Sequence, residues 1–407
     1  MSALVKYSGF QTHAIPSLGT NSKIQVDRIQ SIDPTTTMNR EKNKECGRDG
    51  TIDWSKRTPN IAYRAVQNES QDLKFFETLA NVASGADMNQ SSFNSSATDL
   101  LSYLTDDDGT VLGTVWYPKL RVAGFSFNIS DPDSKIERNF DLVGEKASAW
   151  QGANKYVVQK LETADSGEVD GNDDWTYTVE TPSAVEDPAN AGVFLLRVTR
   201  IRSGVSTDLS TGTGTNEWEY SAPTLTVHDA VVGDSYRVYW SSGSYLAGDI
   251  WTNEDTAPGA TLAYNVQLII GSTELTKIQS CTIDARFERE DWKQVGSKEV
   301  QQRGVKDKTV TITLPRLLEN YTLEELLLGE TAGFGHIDPE NFLDTITFRL
   351  KVFTTDAKSS FAYGMKVTNC SPTEVKTPIS IDAYTNRDIT LESETFTLSD
   401  DETVIDA

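Results

Sequence analysis

Between Ile278 and Phe287 apolar and polar residues alternate, with Ile283, Ala285 and Phe287 on one face and Asp284, Arg286 and Glu288 on the other. From Lys308 to Leu314 the alternation returns, setting Val310, Ile312 and Leu314 against Thr309, Thr311 and Thr313. A period of two over this length predicts two half-buried strands. The stretch between them, Arg289 to Asp307, is too polar for a core and carries turn glycines at Gly296 and Gly304. Asn320 to Gly329 then reads as a short helix. It has two glutamates in its first turn, leucines on one side, and Gly329 where a C-cap glycine belongs. The unit is a long hairpin with a charged arm, followed by a helix.

The unit recurs. Ile29-Gln30-Ser31 matches Ile278-Gln279-Ser280, an offset of 249 residues (278 less 29). At that offset Arg40, Glu41, Lys44 and Gly47 fall on Arg289, Glu290, Lys293 and Gly296, and Ile61, Tyr63 and Ala65 fall on Val310, Ile312 and Leu314. Leu73 to Leu79 falls on the helix at Thr322 to Leu328, which predicts a first helix over roughly Glu69 to Val82. Arg138 to Glu145 matches Arg387 to Glu394, again 249 residues apart (387 less 138). Two distant matches at one spacing indicate a duplicated domain.

Further alternating runs predict strands at Leu100–Leu104, Trp116–Ile129 and Ile136–Val143, and in the second copy at Thr345–Phe353, Phe361–Thr368, Ile379–Ala383 and Ile389–Leu398. Residues 151–263 have no partner in the repeat. They open with an acidic linker (Glu162 to Asp174) and close with a polar one (Asn253 to Gly259). Between these lie strand-like runs at Trp175–Glu180, Val193–Ile201, Leu225–Val227 and Ser235–Trp240. Gly233 to Trp240, a turn leading into an aromatic strand, suits an Ig-like β-sandwich module. The expected division is an N-terminal arm (1–21, broken by Pro16 and Gly19), copy 1 (22–150), an inserted decorating β-sandwich (151–263), copy 2 (264–399) and a loose acidic tail (400–407). The expected fold class is mainly β, two duplicated domains each with a flanking helix, plus the insert.

Composition narrows the chemistry. A formal charge of −23 over 407 residues excludes the basic footprint of a conventional nucleic-acid binder. The first residues lack the basic start and apolar core of a secretory signal, and no apolar run approaches the ~18 residues of a membrane span. Cys46, Cys281 and Cys370 are scattered and odd in number, which reads as free thiols. His13, His228 and His336 have no Cys or acidic neighbour at ligand spacing, so neither a metal nor another cofactor is expected. Asp106 to Gly109 is an Asp-Gly hairpin turn rather than a calcium loop, because no closing Glu follows. Gly212 to Gly214 is not a phosphate loop, since no Lys and no helix follow. No nucleophile elbow, His-Glu-x-x-His or Cys–His pairing occurs. Acidic pairs are too common to single out a glycosidase couple, and the mixed signs in the arms suit a protein interface.

The stretch from Ile283 to Gly329, with its echo at 29–80 and the closing strand Asn139 to Ala147, resembles the tail tube (major tail) proteins of tailed bacteriophages and related viruses. The resemblance covers the two repeated domains, and the insert departs from it. It implies β-sandwich subunits that join edge to edge into a ring whose inner sheets form a continuous barrel, which removes exposed edges. Simple members form six-subunit rings, so a duplicated chain implies a trimeric, pseudo-hexameric ring stacked into a virion tube. The implied partners are the chain itself, a tape-measure protein and terminator or initiator proteins, with viral DNA passing through without specific binding and no membrane involved. Asp284, Glu288, Glu392, Glu394, Asp141 and Glu145 are the candidates for an acidic lumen. Arg289, Trp292, Lys293, Arg40 and Lys44 are those for inter-ring arm contacts. Competing readings are a carbohydrate-binding or adhesin protein, suggested by the Trp- and Tyr-rich insert, and a carboxylate-based glycoside hydrolase.

Overall fold

The computed structural model describes the chain except residues 1–9, 17–21, 39–41, 44–52, 55–59, 69–70, 95, 107–109, 132, 152–155, 181–194, 222, 251–260, 294–299, 318–321, 330–338 and 378–385. The chain is mainly β. Its contacts group into two compact units: residues 1–26, 97–120 and 146–255 form one, and residues 27–96, 121–145 and 256–407 the other.

Outside the insert the principal strands come in two sets of eight. The first set is β1 (Phe10–Pro16), β2 (Ile24–Val26), β3 (Ile29–Thr37), β4 (Asn60–Asn68), β5 (Thr98–Thr105), β6 (Val111–Ile129), β7 (Glu137–Gly144) and β8 (Ser148–Gln151). The second is β9 (Val266–Ile270), β10 (Thr273–Glu274), β11 (Cys281–Lys293), β12 (Val300–Leu317), β13 (Ile346–Phe353), β14 (Phe361–Lys376), β15 (Asn386–Ser393) and β16 (Thr395–Ser399). Helix α1 (Lys74–Ala80) follows β4, α2 (Thr322–Leu327) follows β12, and α3 (Glu402–Asp406) ends the chain.

The larger unit is built on an antiparallel sheet in the order β3-β4-β7-β6-β11-β12-β15-β14, to which β6 and β14 contribute their C-terminal halves. The registers repeat. Pro34 faces Tyr63 as Ile283 faces Ile312. Tyr63 faces Leu142 as Ile312 faces Leu391. Even the irregularity is shared: β7 on β6 and β15 on β14 both slip by one residue, beside Leu142 and Leu391 respectively. Along the whole of β14 the offset from β6 is 250 rather than 249, so Phe125 corresponds to Val375. A second set of pairings repeats too. In the smaller unit β2-β1-β5-β6-β8 pair in that order, and in the larger unit β10-β9-β13-β14-β16 do the same.

Period-two burial places one face of the eight-stranded sheet on a core. Ile61, Tyr63 and Ala65 on β4 are buried while Ala62 and Arg64 between them are exposed. Under that face α1 inserts Phe75 and Phe76. Phe75 packs on Phe140 (ring centroids 4.6 Å apart) and Phe76 on Phe125 (5.0 Å), aromatic contacts that add to their burial. α1 is shorter than the expected span because Gln71 has φ +61°, which breaks a right-handed helix before Lys74. Gly329 has φ +73°, the left-handed conformation of a C-cap residue, and its N–H reaches Leu326 O at 3.0 Å.

In the smaller unit the insert forms two four-stranded sheets. One has the order 156–163, 235–242, 195–202, 205–208, and the other 175–178, 224–227, 217–221, 210–211. Trp175, Trp218 and Trp240 lie in one buried cluster with Ile15, Leu101, Tyr103 and Trp116 of the neighbouring sheet. Polar groups tie the two parts together. Tyr103 Oη donates to Asp249 Oδ2 at 2.7 Å, His13 Nε2 donates to Asp249 O at 2.8 Å, and Asp99 accepts from both Arg197 and Tyr239.

Four expectations need correction. Residues 10–16, expected within an extended arm, are a strand paired with β2 and β5; Ala14 and Ile15 are fully buried, and Pro16 ends the strand rather than preventing it. The charged arm at Arg289–Asp307 is largely continuous hairpin, since β11 runs on to Lys293 and β12 starts at Val300. The run Ile389–Leu398 is two strands, because Ser393 Oγ bonds Thr395 N (3.1 Å) and Thr368 O (2.5 Å), turning the chain from one sheet into the other. The acidic tail is not loose. Asp401 caps α3 through Thr403 N (2.8 Å), Ile405 is fully buried, and Lys351 Nζ pairs with Glu402 (2.9 Å) and Asp406 (2.6 Å). The expected strand at Ile379–Ala383 lies outside the described residues.

Candidate assembly edges and polar face

The eight-stranded sheet has two ends among the described residues. One is β3, paired only with β4; the other is the segment Ser371–Lys376 of β14, paired there only with β15. Each presents a row of N–H and C=O groups that a further strand can take up. β3 is exposed from Asp33 to Thr37, and Thr35, Thr36 and Thr37 are β-branched residues suited to pairing. On β14 the exposed residues include Thr373, Glu374 and Lys376.

Midway along the same sheet lies the junction of the two halves, β6 on β11, in register from Cys281↔Ile129 to Arg286↔Gly124. Ala285 and Phe125, which face each other there, are both buried. Gly124 allows the close approach: a Cβ at that position would stand 3.0 Å from Ala285 O. Thr282 Oγ1 donates to Asn128 Oδ1 across the junction at 3.3 Å.

The face of this sheet turned away from α1 is polar. Asp284 lies beside Thr311, which lies beside Glu392, and Asp141 lies beside Arg64. Four candidate acids therefore share one face: Asp141, Asp284 and Glu392 each sit between buried neighbours on their own strands, and Glu288 follows the buried Phe287. Glu145 and Glu394 lie just past the ends of β7 and β15, in equivalent positions. The face is of mixed sign. Asp284 accepts from Arg286 Nε at 2.8 Å, Glu288 from Lys306 Nζ at 3.1 Å, and Asp141 lies 3.6 Å from Arg64 Nε. The hydrogen bond and charge of Asp284, with a contribution from Asp141, raise the Arg286 pKa further above its ordinary value. Glu392 has no cation partner among the described residues.

The arm candidates separate. Arg289 Nη2 donates to Phe93 O (2.7 Å) and Nη1 to Asn94 O (3.1 Å), and Nε donates to Val122 O. That guanidinium anchors the base of the arm inside the chain. No local signal distinguishes it from its charged neighbours, because its acceptors are about 170 and 195 residues away in sequence. Trp292 is exposed, 56% of its surface remaining open, on the arm's β11 strand. Lys293 closes that strand, and Arg40 and Lys44 lie outside the described residues.

Two arginines at equivalent places were legible in the sequence match but not assigned a role. Arg138 on β7 is fully buried over the rings of Tyr363 (4.7 Å), Phe76 (5.5 Å) and Phe127 (5.9 Å). Arg387 on β15 instead pairs with the buried Glu324 of α2 at 2.7 Å. Among the described residues no group of three or more His, Cys, Asp or Glu is placed to hold a metal ion, and no helix is long and apolar enough to cross a membrane.

No protein-family profile matches the chain, and no curated protein matches it. Among solved structures, a chain of the anti-feeding prophage baseplate, 6-fold symmetrised, matches at 11% identity and a TM-score of 0.28, over 37% of this chain and 98% of that one. A chain of the PVC sheath-tube complex, an extracellular contractile injection system in its extended state, matches at 14% identity and a TM-score of 0.27, over 34% of this chain and 91% of that one. At such scores neither likeness carries an argument about this chain.

Proposed function

We propose that the chain is a structural virion protein, a tail tube subunit with two tube domains (22–150 and 264–399) and an inserted β-sandwich (151–263) that decorates the outside. The observation that carries the reading is the eight-stranded sheet itself. Two four-strand halves of equal order and register are already joined edge to edge inside one chain, and among the described residues the outer edges take no further strand. Edge-joined repeats of this kind close into a ring, which removes the edges. Three chains supply the six repeats of a pseudo-hexameric ring, and rings stack into a tube.

In that tube the polar face lines the channel. Asp141, Asp284, Glu288 and Glu392 lie along its strands, with Glu145 and Glu394 at the strand ends. Threonines and ion-paired acids offer a hydrated surface, and the net negative charge of the chain opposes phosphate, so passing DNA finds no binding minimum. Trp292, Lys293, Arg40 and Lys44 contact the neighbouring ring, while Arg289 holds the base of the arm. A tape-measure protein and terminator or initiator proteins set the length and ends, and no cofactor takes part. Against a sugar-binding role, Trp175, Trp218 and Trp240 of the insert are buried in its core and present no stacking platform.

Negative-stain electron microscopy of the purified protein, together with its mass in solution, tests the reading. Rings or tubes with a central hole and three chains per ring are expected. Six chains per ring would remove the pseudo-hexamer, and a monomer that binds glycans at all concentrations would remove the tube.

A further inference from the structure

The junction inside the chain specifies more than the existence of an interface. Moving β11 back by 249 residues gives β3, and moving the second half of β6 forward by 250 gives the end of β14. Within the eight-stranded sheet every pairing of the first half is reproduced in the second at these two offsets, so among the described residues the one pairing of that sheet without a counterpart is β6 on β11. Its counterpart must join β14 of one chain to β3 of another.

We infer that the Ser371–Lys376 end of β14 pairs antiparallel with β3 of a second copy of this chain, in the register of the internal junction. Arg286↔Gly124, Ala285↔Phe125 and Asp284↔Ser126 become Thr37↔Glu374, Thr36↔Val375 and Thr35↔Lys376. The inference rests on the ring in the proposed function, not on the tube or on DNA passage. Thr36 and Val375 then meet on the core-facing side, as Ala285 and Phe125 do, and Val375 gains the cover that its half-buried state lacks. Lys376, now paired with Glu374 of its own strand at 2.7 Å, comes to lie diagonal to Asp33, within reach of a cross-strand ion pair. Pro34 has no N–H, so it lowers the number of ladder bonds the edge can offer by at most one. The surface is heterologous, and the chain therefore adds head to tail until rotation closes it.

Cysteine pairs read the register directly, because a disulfide needs Cα atoms about 4.4–6.8 Å apart while diagonal neighbours stand about 7–8 Å apart. The full chain would carry Thr35→Cys with Lys376→Cys as the matched pair, Thr37→Cys with Lys376→Cys as the slipped pair, and each single change as a control. After mild oxidation of assembled protein, the matched pair is expected to give a covalent ladder ending at the chain count of the ring, at least tenfold more product than the slipped pair. Rings seen by microscopy with equal or no cross-linking in the two pairs would overturn the register and leave the ring standing. Absence of both rings and cross-links at every concentration would overturn the ring and the pairing together. Selective cross-linking that runs on into open chains would support the pairing and overturn ring closure.

Discussion

The two halves of the eight-stranded sheet share one ladder and differ where one of them meets the other. At the internal junction the facing residues are Ala285 and Phe125, Ile283 and Phe127, all buried. At the corresponding outer positions stand Thr36 and Val375, Pro34 and Thr377, exposed or half-buried. Gly124, which lets backbones approach, corresponds to Glu374 at the outer edge. Threonine, proline and charge keep an unpaired edge soluble until the right partner arrives. A duplicated chain can fix one junction permanently with apolar contacts and leave the other reversible. On the proposed assembly, the difference separates residues that serve folding from those that would serve the joining of chains.

The largest expected contrast comes from truncating the facing residues. Phe125→Ala removes a ring that packs on Phe76, Phe93 and Phe396, and should cost about 3–5 kcal/mol in urea unfolding. Val375→Ala should cost less than about 1 kcal/mol in the same assay, because little of its transfer free energy is realised in the free chain. Its effect should appear in assembly, as a higher concentration needed for rings. Equal losses of stability from the two changes would break the comparison.

Next in size is the difference between the two arginines. Arg387→Met leaves the Glu324 carboxylate, 2% exposed, without that partner and should cost about 3 kcal/mol. Adding Glu324→Met should restore most of it, since an apolar pair of similar volume replaces the ion pair. Arg138→Met keeps a side chain that the aromatic faces accept but removes the charge that acts on Asp27, and should cost about 1–2 kcal/mol. α1 sets the ring of Phe76 under Arg138, while α2 sets the carboxylate of Glu324 against Arg387. Matched urea series on the three variants check this. A larger loss from Arg138→Met than from Arg387→Met would sink the idea.

Much of this frame was legible in residues. The alternation of Ile61, Tyr63 and Ala65 matched that of Val310, Ile312 and Leu314 because both face a core, and the 249-residue spacing followed from them. The 250-residue offset of β14 was not legible, as Gly124 to Asn128 and Glu374 to Lys376 share no matched pattern and only the ladder reveals it. β1 was missed because Thr12 to Pro16 is buried on both faces, so it lacks period two. The α3 cap was readable, an Asp followed at once by an acidic first turn. That the candidate acids would share their face with Arg64 and Arg286 needed the cross-strand register, which pattern alone does not supply.

A smaller effect is expected at Gly124. Gly124→Ala brings a Cβ to 3.0 Å from Ala285 O and should cost about 1–2 kcal/mol through local displacement. Glu374→Ala, its outer counterpart, should leave the free chain's urea midpoint unchanged within about 0.5 kcal/mol. A Gly124→Ala protein as stable as the parent would show that the junction has slack and that its register is less constrained than the outer one requires.

The finest test uses thiols already in place. Burial pushes the Cys281 thiol up to about 12, and burial likewise raises Cys370 to about 12, against a weaker lowering by a backbone hydrogen bond from Phe348. The thiolate is the reactive form, so at pH 8 both should resist a thiol reagent until the sheet opens. Cys281 faces Ile129 in the junction, and its outer counterpart at the 249-residue offset is Ile32, half-buried on β3. Ile32→Cys should therefore label within minutes in the dilute chain while Cys281 stays unmodified. In assembled protein the pairing of β3 should slow that labelling at least tenfold, bringing the outer position towards its internal counterpart. Labelling of position 32 that is indifferent to assembly would mean that β3 remains an edge in the ring, and the likeness between the inner and outer junctions would fail at that strand.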